Sequence, residues 1–134
     1  MRRLILPILT YFTAVQPLHA QMVDAAQIRP ILDATKANWV AVREWEGQDL
    51  IYFTHLESWR CGLDNVKYGV NSEVADIEWQ LAPCDENNPN AIPSDHLPYT
   101  ATELKSVETL IIEITYDDGQ VDTVQYERTA IQIQ

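Results

Sequence analysis

Apolar and polar residues alternate with period two through much of the second half of this chain, and that pattern predicts strands. Leu110, Ile112, Ile114 and Tyr116 alternate with Ile111, Glu113 and Thr115, and the segment from Val121 to Tyr126 returns after Asp117-Asp118-Gly119. A two-residue Asp-Gly loop sets Ile112 against Gln125. A three-residue loop with Gly119 left-handed sets Ile112 against Val124 and Leu110 against Tyr126. The second register places like with like and is the one predicted. Upstream, Val66, Tyr68 and Val70 alternate with polar neighbours, as do Ile77, Trp79 and Leu81, which predicts a hairpin through Asn71-Ser72-Glu73.

Earlier still, Trp39 to Trp45 and Leu50 to His55 are rich in β-branched and aromatic residues on both faces, as central strands are, with Glu46-Gly47-Gln48 as the turn between them. Tyr99 to Leu104 reads as a short edge strand. One helix precedes all of these. Asp24 followed by Gln27 has the form of a capping box, and Ile28, Ile31 and Leu32 fall at helical spacing. Pro30 fits best in a first turn, which moves the expected helix to about Arg29–Ala37. Some seven short strands and one short helix predict a mainly β, antiparallel sandwich-like domain of immunoglobulin or fibronectin kind, with a small open barrel as the alternative. Between Ala82 and Pro98 lies a long loop holding four prolines, a length that implies either function or tethering.

The first twenty residues stand outside this pattern. Arg2 and Arg3 precede an apolar run from Leu4 to Val15, and Leu18-His19-Ala20 ends the segment with a small residue. A positive head, an apolar middle and a small exit residue read as a secretory signal peptide cut after Ala20, leaving residues 21–134 as a single β-rich domain. The apolar run is shorter than the ~20 residues a membrane span needs. Position 21 is Gln, so a lipoprotein anchor on that residue is absent. The expected location is the periplasm, with secretion as the alternative.

Export changes the reading of charge and of cysteine. Without Arg2 and Arg3, 7 basic residues face 20 acidic ones, a net charge of −13 with His neutral. That excess disfavours nucleic acid and anionic membrane surfaces as partners. It permits a basic partner, a cation or plain solubility. Cys61 and Cys84, the two cysteines of the chain, are expected to form a disulfide in an oxidising compartment. Their spacing is wrong for a redox C-x-x-C pair, and two thiols alone do not make a Cys-rich zinc site.

Signals for chemistry are sparse. His55-x-Glu57 followed by Pro83-Cys84 partly matches a zinc deaminase, but Asn87 stands where the second thiolate belongs. Ser94-Asp95-His96 holds triad residue types at adjacent positions, which cannot form the relay. A hydrolytic site on His55, Glu57 and His96 requires those groups to converge. Oxygen ligands for calcium are dense at Asp85, Glu86, Asn87 and Asn90 and again at Asp117, Asp118 and Asp122, though neither run matches a calcium loop. Trp59, within Ser58-Trp59-Arg60-Cys61-Gly62-Leu63, is read either as packed on the disulfide or as a surface anchor paired with Arg60.

Trp39-Val40-Ala41-Val42-Arg43-Glu44, Ser58-Trp59-Arg60-Cys61-Gly62-Leu63, Pro83-Cys84 and Pro89-Asn90-Ala91-Ile92 resemble segments of a family of small exported alphaproteobacterial proteins. The resemblance covers nearly all of the chain after the signal peptide. It implies a Gram-negative periplasmic setting and brings no catalytic residues to carry over.

The sequence therefore predicts a non-enzymatic interaction or structural domain with no catalytic residues, no resident metal and no cofactor. Its candidate contact surface is Trp59, Arg60, Asp85, Asn87 and Asn90, and its expected partner is another periplasmic protein. A small-ligand or calcium module is the first alternative, and a hydrolase the second.

Overall fold

The computed structural model describes residues 10–14 and 23–134. Arg2-Arg3 and the expected cleavage point after Ala20 lie outside the described residues. None of the described helices is long and apolar enough to cross a membrane.

The domain is mainly strands in two four-stranded sheets. The first contains β1 (Ala41–Trp45), β2 (Gln48–Tyr52), β5 (Tyr99–Glu103) and β8 (Gln132–Ile133) in the order β5-β2-β1-β8. The second contains β3 (Leu63–Val70), β4 (Ile77–Trp79), β6 (Thr109–Tyr116) and β7 (Val121–Glu127) in the order β4-β3-β6-β7. All neighbouring strands are antiparallel except β1 and β8, which run parallel. Val42 and Ile51 from the first sheet, Val66, Leu110 and Ile112 from the second, and Ile28 and Leu32 from the first helix belong to one buried core.

Turn chemistry decided the predicted registers. The β6–β7 hairpin pairs Ile112 with Val124 and Leu110 with Tyr126, as the three-residue loop requires. Gly119 has φ +87°, a left-handed value that glycine adopts without strain. Glu46 and Gly47 both have positive φ and join β1 to β2 with Trp45 opposite Gln48, a two-residue loop whose twist suits a hairpin. β1 and β2 are the interior strands of their sheet, and Tyr99–Glu103 is an edge strand. β3 and β4 also pair, but only over Val66–Tyr68 and Ile77–Trp79, so their connection is longer than the predicted turn. Asn71, at the end of β3, accepts from the Glu108 and Thr109 amides and donates to the Ser106 carbonyl, which ties that connection to β6.

Three local predictions need correction. The first helix, α1, runs Ala25–Ala34, so it starts earlier than the position of Pro30 implied. Asp24 caps it by accepting from the Gln27 amide, and the Gln27 side chain accepts from the Val23 amide. Cap and buried stripe (Ala25, Ile28, Leu32) together outweigh a proline set on the exposed side of the second turn. The strand expected to reach His55 stops at Tyr52, and Thr54–Ser58 forms a short helix, α2. Period-two reading fails there because Phe53 and Leu56 are both fully buried at helical spacing. A third short helix, α3 (Arg128–Ile131), leads into β8.

Cys61 and Cys84 form a disulfide that closes a separation of 23 residues. Replacing both by serine is expected to cost about 3 kcal/mol, mostly by freeing the unfolded chain. Urea midpoints of the oxidised and double-serine proteins measure this. A difference near zero would show that the other ties on the loop already carry its constraint.

Candidate functional site

The loop from Ala82 to Pro98 is anchored from beneath by α2 and the turn that follows it. His55 and Glu57 are two positions apart on α2, so their side chains leave opposite sides of the helix. Glu57 is fully buried. Its carboxylate accepts from Trp79 Nε1 at 2.8 Å, from the Ala82 amide at 3.2 Å and meets His96 Nε2 at 2.6 Å. Those three partners come from β4, from the start of the loop and from its far end. Glu57 is thereby a hub that fixes both ends of the loop, and Trp79 stacks on Phe53 beside it.

Arg60 does not lie on the surface. It is 2% exposed, donating through Nε to the Pro83 carbonyl and through Nη1 to the Glu57 and Pro89 carbonyls. The expectation of a Trp-Arg surface anchor is corrected accordingly: Arg60 braces the loop from inside. A guanidinium suits this work because its fork reaches several carbonyls at once. Trp59 is half-buried and packs against the hydrophobic core. Asp85, Asn87 and Asn90 are exposed. Of these, Asp85 accepts from the Asn87 amide and Asn90 donates to the Ser58 carbonyl, so both also shape the loop. Leu97, overlooked in the sequence, stands 62% exposed in the same loop.

The hydrolytic grouping of His55, Glu57 and His96 is brought together only in part. His96 meets Glu57, whereas His55 turns to α1 and meets Thr35 Oγ1 at 2.8 Å. Burial lowers the His55 pKa and favours the neutral ring. The acidic run at the β6–β7 turn is engaged in structure. Asp117 accepts from the Ala25 amide, Asp118 pairs with Arg29, and Asp122 pairs with Lys36 at 2.9 Å. These contacts fasten α1 to the hairpin and use the carboxylates that a calcium ion would need. Among the described residues, no group of three or more His, Cys, Asp or Glu is arranged to hold a metal ion.

A second concave region lies on the far side of α2. It is a groove of about 350 Å³ between α2, the Asn38–Val40 turn and the first sheet. Val42 and Ile51 point into the core, so their neighbours Ala41 and Tyr52, paired across the sheet, sit on its outer face and floor the groove. Ile133, on β8, closes one side and remains 48% exposed.

Comparison with protein-family models, curated proteins and solved structures finds no match to this chain. The arguments for function therefore rest on geometry alone. Two further residues escaped sequence reading, Asp49 and Arg128. Asp49 is fully buried in β2 and accepts from Arg128 Nη1 at 2.5 Å and from the Lys105 and Val107 amides. Arg128 also reaches Glu44 at 3.2 Å and the Val107 carbonyl at 2.8 Å. An acidic residue inside an apolar strand run was the available signal, but its partner lies 79 positions away.

Proposed function

We propose that this protein is an exported, periplasmic binding domain that acts without catalysis and recognises another protein through the loop from Ala82 to Pro98. The observation that carries this reading is the way the loop is held. Glu57, Arg60 and the Cys61–Cys84 disulfide fix it from below, while Asp85, Asn87 and Leu97 face outward. Long loops in compact domains cost order, and a rigid one that presents an exposed leucine among acidic and amide groups suits recognition. Pre-ordering such a loop also reduces the entropy lost on binding. The disulfide is compatible with an oxidising compartment. The single core shared by both sheets supports a sandwich-like packing of immunoglobulin or fibronectin type. The resemblance to small exported alphaproteobacterial proteins points the same way.

The test is capture by cross-linking in the periplasm with the wild type and with a Leu97→Ser, Asn87→Lys variant. The variant is expected to retain its melting temperature and lose the captured species, since neither side chain is buried. Equal capture by both proteins would remove the loop as the recognition surface. The N-terminus of the recovered protein tests the address: Gln21 supports export, and a retained Met1 in the cytosol overturns it.

A further inference from the structure

We propose that the groove beside α2 binds a small, uncharged, amphipathic molecule, its apolar body seated on Tyr52, Val40, Ala41 and Ile133 and one hydrogen-bond donor directed to His55 Nδ1. This site is separate from the loop surface and stands or falls independently of it.

The chemistry of the ligand follows from proton bookkeeping around His55. The Thr35 hydroxyl donates its single proton to the Ile31 carbonyl at 2.7 Å. Its 2.8 Å contact with His55 Nε2 must then run the other way, with the imidazole as donor. A neutral ring that carries its proton on Nε2 presents a bare lone pair at Nδ1. Nδ1 has no hydrogen-bond partner among the described residues, and it is not sealed from solvent. Thr35 forms no part of the groove wall, so this contact holds the ring from behind while His55 lines the groove. The donor a ligand brings is therefore met by an acceptor whose tautomer the protein has already set.

Two other observations narrow the ligand. Ser58 directs its hydroxyl proton to the Thr54 carbonyl at 2.9 Å, so it too offers the groove lone pairs and no proton. No Asp, Glu, Lys or Arg lines the groove, which leaves nothing to neutralise a formal charge on the ligand. The half-exposed Ile133 and the Tyr52 face supply apolar surface that water covers poorly. A volume of about 350 Å³ lies at the small end of ligand pockets, room for a body of one or two rings. A phenol- or indole-like molecule meets all of these conditions.

Two probes of nearly equal shape separate the hydrogen bond from mere greasiness: 4-propylphenol, which carries a donor, and 4-propylanisole, which does not. Titration of the full protein is followed by the imidazole nitrogen resonances and by the melting temperature. The phenol is expected to shift the His55 Nδ1 resonance and to bind about tenfold more tightly than the anisole. His55→Phe is expected to bring the two affinities together. Equal binding of both probes to the wild type, no binding of either at millimolar concentration, or a phenol shift that spares His55 Nδ1 would each overturn the proposal. Those wild-type readings decide the matter even if His55→Phe fails to fold.

Discussion

Replacing Asp49 with alanine is expected to remove about 3–5 kcal/mol of stability, a large part of what a domain of this size holds. The change leaves Arg128 beside a vacated buried position and strips the Lys105 and Val107 amides of their acceptor. The expected sign of the pH effect follows from the same contacts. Hydrogen bonds from Arg128, helped by the two amides, hold the Asp49 carboxyl at about 2 against an ordinary 3.8, with burial acting in the opposite sense. A carboxyl whose folded pKa lies below its unfolded value stabilises the protein fully above the unfolded pKa. That contribution fades as pH falls from 3.8 through about 2. A depression of nearly two units corresponds to about 2 kcal/mol. Urea midpoints measured from about pH 5 down to about pH 2 should fall more steeply for the wild type than for Asp49→Ala. Parallel curves would show that Asp49 does not set the acid limb.

The second large effect is expected at Glu57. Glu57→Ala leaves the Trp79 indole and the Ala82 amide without acceptors and frees His96. Two unsatisfied buried donors and one lost ion-assisted bond amount to about 4 kcal/mol. Glu57→Gln should cost about half as much, because its amide group accepts at one end only and turns a donor toward one of those partners. Beyond the loss of stability, the alanine variant should become open to proteolysis between Ala82 and Pro98 while the sheets remain folded. Protease nicking that spares this loop in Glu57→Ala would refute the hub role of the carboxylate. Paired with Arg60→Met, the experiment separates the two braces: Arg60 holds the Pro83 and Pro89 carbonyls, and Glu57 holds the ends.

Much of this architecture was legible in the sequence where local chemistry governs. The Asp117-Asp118-Gly119 turn fixed one register among two, and Asp24 marked the helix start. The pairing of Cys61 with Cys84 followed from their number. Reading failed where partners distant in sequence decide. Arg60 looked like a surface anchor because arginine is costly to bury, and only the folded loop reveals the three carbonyls that make burial tolerable. The switch from strand to α2 at Phe53 depends on Phe53 and Leu56 both finding the core. β8 spans two residues and carries no period that a pattern could reveal. The candidate surface suffered the same limit: Asp85, Asn87 and Asn90 are exposed as expected, while Leu97 gained its meaning only from the rigidity beneath it.

The parallel pairing of β8 with β1 has a temporal consequence. A chain emerging from a ribosome or a translocation pore delivers β1 and β2 early, with Asp49 already in the second of them. Its counter-charge, Arg128, arrives 79 residues later, together with the strand that flanks β1. Until then the first sheet holds an uncompensated carboxylate and an open edge, so a stable half-domain is not a resting point on the way out. Such long-range closure slows folding, because loop entropy is lost before the contacts that repay it form. Vectorial synthesis thus leaves this domain uncommitted until its last helix emerges, which keeps the chain extended for as long as transit lasts.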